Sequence, residues 1–368
     1  MQPFERNQVV QKKYKSMMIL FGSTIALIGS FCAWPKGRKF FSLVTTRIVL
    51  ELRYQLLGVR EVLCDLRDAR YNKTDLPKKT GCVAVITGGS RGIGVEVVRM
   101  LMKCDMDIVL ACRNTAAGEK VVKNIRESGV MDGKAKVYEL DNSSLESVRK
   151  FSEMMKNEYK KIDILINNAG VMFPPYVETK DGFEQQWGVN YLSHFLLTAL
   201  LVPLLRNAGN EETRARIINV SSCAHLLGTI NFEDINYKKR FITSAAYAQS
   251  KLASVMFTTT LQRHLQERNL PIQTFAVHPG IVNTDLFENT IFSKVKIFTR
   301  LFFKSPEKGA TTTVYAAVSP RIEHEGGIYL SNCRSSSINR LAKDENACNR
   351  LFELSLQQVK LKDFFQNL

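Results

Sequence analysis

Tyr247 and Lys251 stand four residues apart in Tyr247-Ala-Gln-Ser-Lys251, a spacing that puts a phenol and an ammonium on one face of a helix. A free phenol loses its proton near pH 10, too high for a base at neutral pH. Bringing it to about 7 takes roughly 4 kcal/mol of phenolate stabilisation, much of which a neighbouring cation can supply. About 160 residues earlier the chain reads Thr87-Gly88-Gly89-Ser90-Arg91-Gly92-Ile93-Gly94. Such a turn lets a pyrophosphate approach backbone N–H groups at a helix N-terminus. A proton-transferring tyrosine and a dinucleotide cradle together describe hydride and proton exchange between a nicotinamide and an alcohol or carbonyl. Either alone is a weak signal; their order, and the pieces between them, make the combination specific.

Other polar residues fall where this chemistry needs them. Ser222 follows the apolar run 215–221, at the carboxyl edge of a sheet, where a hydroxyl can hydrogen-bond the reacting oxygen; Ser221 is the alternative. Asn190, in the helix after the fourth strand, either holds a water linking Lys251 to solvent or is a satisfied core amide. Gly88, Ser90, Arg91, Gly92, Ile93 and Gly94 would cradle the pyrophosphate, with a helix starting near Ile93. NAD-selective sites place an acid after the second strand. Here that strand ends Ala111-Cys112-Arg113-Asn114, so Arg113 and Arg91 can pair with a 2′-phosphate. NADP(H) is therefore favoured, with NAD(H) as the alternative. Asp141, with Asn142 beside it, ends the third strand where an acceptor can bond the adenine amino group, unless Asp141 only caps a helix. Asn168, Ala169 and Gly170 form a turn after the fourth strand, close to the cofactor ribose.

These residues need a frame that brings strand ends together. CVAVIT (82–87), DIVLAC (107–112), AKVYEL (135–140), DILIN (163–167), ARIINVS (215–221) and IQTFAVH (272–278) are short apolar runs separated by helical patterns. Near-continuous apolar strands alternating with helices imply an α/β fold, a doubly wound parallel sheet covered on both faces. GGIYL (326–330) adds a seventh strand at the edge. One Rossmann-type domain then spans 81–335, followed by a helical tail at 336–368.

The chain carries a net charge of +16, and 45% of its residues are hydrophobic. Residues 1–80 contain 15 Lys/Arg against 6 Asp/Glu, so +9 lies ahead of the glycine turn. A basic tail at 1–16 precedes an uncharged apolar run at 17–34, which as a helix spans about 27 Å and suits an uncleaved membrane anchor. That context points to a membrane surface and away from nucleic acid. Basic residues flank the run on both sides, so charge gives no orientation. Phe41, Val44, Ile48, Leu52, Leu56, Val59, Leu63 and Leu66 then recur at helical spacing, forming with the following linker a segment at 35–80. This amphipathic helix would lie on the bilayer or against the main domain. The eight cysteines show no C-x-x-C pairing and no metal spacing, which reads as reduced structural thiols and no metal site.

Taken together, TGGSRGIG, NNAG, Asn190, VSS, YAQSK and His278-Pro279-Gly280 resemble the short-chain dehydrogenase/reductase family across nearly all of 81–335. The resemblance implies a catalytic tetrad of Asn190, Ser222, Tyr247 and Lys251, the last two also touching cofactor. It also implies that the segment from Pro279 and Gly280 through Val282 to Thr284 meets the nicotinamide amide. Within the family, ACRN, DGFEQQWGVNYLSHFLLT and the long loop between Ser222 and Tyr247 are similar to the retinol dehydrogenases. AAYAQSKLA, NTDLF and LFFKSPEKGATTTVYAAVSP are closer to the polyprenol dehydrogenase subgroup. Asn142, in place of an apolar residue, departs from the pattern.

The expected function is oxidoreduction of a lipophilic alcohol and its aldehyde or ketone, with prenols, retinoids and steroids as competing substrates. The intact tetrad argues against a catalytically idle binding protein of the same fold. The expected setting is the endoplasmic reticulum membrane, or a lipid droplet, with the catalytic domain facing the cytosol; a homo-oligomer is compatible with this. Residues 291–304 read as a basic amphipathic helix that could cover the substrate and dip into headgroups. Asn72, in the linker, begins a glycosylation sequon expected to be silent, as are those at Asn142 and Asn219. His225 is read as shaping the loop after Ser222.

Overall fold

The computed structural model describes residues 35–284, 286 and 302–368; the anchor run at 17–34 and most of the amphipathic stretch at 291–304 lie outside the described residues. The apolar runs form β1 (Val83–Thr87), β2 (Asp107–Cys112), β3 (Lys134–Glu139), β4 (Ile164–Asn167), β5 (Ala215–Val220), β6 (Ile272–His278) and β7 (Ile328–Ser331). All seven pair in parallel, in the order β3-β2-β1-β4-β5-β6-β7. GGIYL does not close the edge: an eighth, two-residue strand, β8 (Arg334–Ser335), turns back antiparallel outside β7.

Alternation along the strands sorts the core into two faces. Val83, Val85, Val109 and Ala111 join one buried cluster; Ala84, Ile86, Ile108 and Leu110 join the other. The crossover helices are α2 (Ile93–Lys103), α3 (Thr115–Glu127), α4 (Leu145–Glu158), α5 (Gln185–Ala208), α6 (Thr243–Glu267) and α7 (Pro306–Val318). Of the described helices, α5 has the length and hydropathy to cross a membrane, but 94% of its apolar window is buried inside the fold. Strand order reverses between β1 and β4, and in such sheets the crevice at that reversal receives the ligand.

The chain divides into two compact units, Met1–Arg53 and Tyr54–Leu368, the second reaching beyond 81–335 at both ends. The C-terminal segment is no loose tail. In α8 (Glu345–Val359) Leu351, Phe352, Leu356 and Val359 are buried in the core, as is Phe364 beyond it. Trp187 Nε1 donates to Gln358 Oε1 at 3.0 Å, and the Tyr191 and Ser355 hydroxyls meet at 2.7 Å.

At the other end, α1 (Pro35–Arg67) inverts the usual arrangement of an amphipathic helix. Leu56 is 70% exposed, and Val59, Leu63 and Leu66 point outward with it. The inner face instead buries Leu57, Glu61 and Asp65. The outward leucines therefore do not pack on the sheet-bearing unit; the carboxylates do. Asn72 is half-buried, donating to the Lys308 carbonyl at 2.8 Å, so its sequon is not displayed on an exposed linker.

Candidate active site

The glycine turn leads from β1 into α2, which starts at Ile93 as its sequence predicts. Gly88 and Gly92 have φ of +68° and +56°, where a side chain is strained. A Cβ on Gly94 would strike the Gly88 carbonyl, and one on Gly88 would lie 2.9 Å from Ala169 Cα. Small residues here keep the backbone bare, as a dinucleotide requires. Thr284 stands beside Gly92, a Cβ on which would lie 3.4 Å from Thr284 Cγ2, so the glycine turn and the 279–284 segment meet. The residues present thus fit a dinucleotide.

Thr87, which opens the glycine-rich stretch and was assigned no role of its own from sequence, fixes this turn. Its Oγ1 accepts the backbone N–H of Asn168 and of Ala169, each at 2.9 Å. His194 Nδ1 lies 3.1 Å from the Asn190 carbonyl, which can only accept, so Nδ1 carries the proton. His194 Nε2 is then an acceptor for the Thr87 hydroxyl at 2.9 Å. Burial holds His194 at about 4, keeping the ring neutral for this role. Asn168 adds its Nδ2, donating to the Thr87 and Gly88 carbonyls at 2.8 and 3.2 Å. Asn168 therefore locks β4 to the glycine turn with its side chain.

At the adenosine end, Arg91 and Arg113 are exposed, and no carboxylate follows β2. Asn114 caps α3, its Oδ1 accepting from Ala117 N at 3.0 Å, and Ser90 bonds the Cys112 thiol. Asp141 does not cap α4, a role Ser144 takes; its Oδ1 accepts the Ser143 N–H and hydroxyl. Burial resists its ionisation, but these bonds, Lys180 and Arg113 hold its carboxyl below the usual range. Asn142 turns its side chain inward, donating to Ser193 Oγ at 2.9 Å, and so serves the core.

Ser222, Tyr247 and Lys251 converge at the carboxyl ends of β4 to β6. Ser222 sits close enough to influence the Tyr247 phenol, and its Oγ accepts from Ala224 N at 3.2 Å. The alternative hydroxyl, Ser221, donates to the Lys251 carbonyl at 2.8 Å and is turned toward that helix. His225 shapes this loop: its Nδ1–H donates to the Ser222 carbonyl at 2.7 Å. Lys251 Nζ donates to the Val220 carbonyl at 2.8 Å and sits 5.7 Å from the Tyr247 ring centroid. Burial lowers the Lys251 ammonium to about 8. Burial also pushes the Tyr247 phenol well above its ordinary value, the Ser222 hydroxyl acting in the opposite direction. The acidification expected of Lys251 does not show in this pocket, where desolvation sets the direction of the shift.

Asn190 lies in a π-helical turn, Gly188–Leu192, inside α5, a distortion common at functional sites. Its Nδ2 donates to the Val171 carbonyl and Ser250 Oγ, and its Oδ1 accepts from Val171 N. Both amide hydrogens are used, which leaves none for a bound water. A Cβ on Gly170 would lie 3.3 Å from Asn190 Oδ1 and 3.7 Å from Lys251 Nζ, so glycine lets these groups crowd together.

Around Tyr247 the lining is apolar: Met172, Phe173, Ala224, Ala248, Leu286 and, from α1, Tyr54. Tyr54 packs edge-on to Phe173 at 5.4 Å and Phe173 to Tyr247 at 5.5 Å. Of the two places expected for this helix, the bilayer or the main domain, Tyr54 thus meets the domain at this wall. Among the described residues, Glu61, Cys223 and His278 offer ligand-type atoms within 4.8 Å of one another. Burial favours the uncharged form of each, raising Glu61 and Cys223 and lowering His278 to about 4.

The sequence profile of the short chain dehydrogenase family matches residues 82–293. Polyprenol dehydrogenase of Danio rerio is 38% identical over 315 residues, covering 84% of this chain and 97% of that protein. Retinol dehydrogenase 12 of Mus musculus is 39% identical over 285 residues, covering 77% and 87%. A crystal structure of an uncharacterized protein from Mycobacterium paratuberculosis is 35% identical with a TM-score of 0.64, covering 78% of this chain and 96% of that one.

Proposed function

The chain belongs to the short-chain dehydrogenase family and is an NAD(P)-dependent oxidoreductase; from that premise we propose that it interconverts a membrane-dissolved long-chain alcohol and its aldehyde, of the prenol or retinoid class, using NADP(H). The observation that carries this reading is the apolar lining around the reactive hydroxyls: Met172, Phe173, Leu286 and Tyr54 enclose Tyr247 beside Ser222.

When bound, the nicotinamide gives or takes the hydride, and its oxidised ring is a positive charge. In the reducing direction Ser222 Oγ hydrogen-bonds the carbonyl oxygen and Tyr247 delivers the proton as negative charge gathers there. In the oxidising direction Tyr247 accepts the hydroxyl proton. Lys251, held by the Val220 carbonyl, places a cation near the phenol while protonated. Pro279 to Thr284 would meet the nicotinamide amide when the cofactor is bound. Arg91 and Arg113, with no acid after β2, are the partners for a 2′-phosphate.

A membrane setting for this site is supported by the apolar run and basic residues of the N-terminal sequence. The outward stripe of Leu56, Val59, Leu63 and Leu66 continues from an apolar anchor run and would lie in the interface, with the endoplasmic reticulum as the setting. The test is NADPH and NADH oxidation with a long-chain prenal, retinal and a steroid ketone in detergent micelles. Consumption of NADPH with prenal or retinal supports the reading. Consumption with none of the three sinks it; Arg113→Ala should shift preference toward NADH.

A further inference from the structure

Asp65 takes no part in the chemistry above, yet it is only 6% exposed on the inner face of α1. Its Oδ2 accepts the backbone N–H of Ile281 at 2.9 Å, a residue 216 positions away. Its Oδ1 lies 2.9 Å from Lys304 Nζ and accepts from Asn332 Nδ2 at 3.1 Å. Lys304, buried as well, also donates to Asn332 Oδ1 at 2.6 Å and to the Pro279 carbonyl at 3.3 Å. Lys304 ends the stretch expected to cover the substrate and dip into headgroups; its backbone pairs with Val282 and its charge is turned inward.

The ion pair therefore grips one short loop at two points. The ammonium holds the Pro279 carbonyl and the carboxylate holds the Ile281 N–H. Between them Gly280 has φ +94°. A Cβ on Gly280 would lie 2.5 Å from Lys304 Nζ and 2.6 Å from Asp65 Oδ2, so the pair lies directly across the glycine. Burying two charges costs desolvation that their attraction barely offsets, which makes such a pair a poor source of stability. What it does supply is a fixed geometry at the backbone groups it holds.

We propose that Asp65 and Lys304 are positioning residues for the nicotinamide-facing loop, which makes α1 a structural part of the cofactor site as well as a membrane-facing helix. This rests on the reading of Pro279 to Thr284 as the nicotinamide segment. Loosening the clamp should weaken contacts to the nicotinamide half of the cofactor and spare those to its adenosine half, which the glycine turn and the β2 end receive.

The test uses the full-length protein in detergent and titrates NADPH and 2′,5′-ADP by calorimetry, with melting followed in parallel. The paired variant Asp65→Asn with Lys304→Met removes both charges together, which such sites tolerate better than losing one. It should melt close to the wild type and bind 2′,5′-ADP within about twofold, but bind NADPH about tenfold more weakly. Asn332→Ala, which removes the amide bridging both charges, should show the same split at about threefold. Unchanged NADPH affinity in both variants, or equal weakening of the two ligands, would overturn the proposal. A wild type that binds neither NADPH nor NADH would overturn the cofactor reading itself.

Discussion

The Lys251 ammonium stands 5.7 Å from the Tyr247 ring centroid while giving a hydrogen bond to the Val220 carbonyl at 2.8 Å. The cation is thus fixed by β5 before any ligand binds, and the phenol is buried beside it. Tyr247→Phe keeps the ring packing against Phe173 and removes only the proton donor. Turnover should fall by about a hundredfold or more while NADPH affinity stays near the wild type. Parallel steady-state and fluorescence titrations check this; a variant with full turnover would remove Tyr247 from the chemistry.

Three buried histidines make the fold sensitive to acid. Desolvation holds His194, His225 and His278 at about 4, against 6.5 in the unfolded chain. Between these values the unfolded chain binds more protons, so stability is intact above pH 6.5 and falls as pH drops toward 4. Each histidine can contribute up to roughly 3 kcal/mol across that window. Melting temperatures from pH 7 to pH 4 should decline steeply below pH 6.5; a flat profile would contradict the buried neutral rings.

Thr87→Val preserves shape but removes the acceptor for the Asn168 and Ala169 N–H groups and the donor to His194. Leaving such buried groups unpaired should cost about 2–4 kcal/mol and slacken the glycine turn. Denaturant unfolding and NADPH titration should both show the loss. Thr87→Ser, which keeps the hydroxyl, should recover most of it.

The outward stripe on α1 yields a separable outcome. Leu56→Glu with Leu63→Glu places charges on the exposed face, away from Tyr54, Glu61 and Asp65. Flotation with liposomes should show weaker association, and activity on a micelle-dispersed substrate should be retained. Unchanged flotation would mean the stripe does not contact lipid.

Much of this was readable in the chain because the information is local. β1, the glycine turn and the start of α2 at Ile93 occupy contiguous residues, and so do Tyr247 and Lys251. The choice of Ser222 over Ser221 was not local: it depends on Ser221 reaching the Lys251 carbonyl thirty residues on. Whether Asn190 holds a water or is a satisfied amide was not local either, because its partners Val171 and Ser250 come from other elements. The leucines of α1 were legible as a stripe, but which face meets the fold was decided by Glu61 and Asp65 finding partners near β6. The C-terminal helix read as a tail because its apolar face is short, although Phe352 and Phe364 complete the core around Phe195.

On the proposed reading, Tyr247 and Ser222 handle the proton and oxygen of a lipophilic carbonyl while hydride comes from a nicotinamide. Incubating full-length protein with a long-chain prenal and NADPH deuterated at C4, then analysing the product by mass spectrometry, tests this directly. One deuterium on the carbinol carbon is predicted for the wild type, and almost none for Tyr247→Phe. Unlabelled alcohol from the wild type, or equal labelling from both proteins, would contradict it.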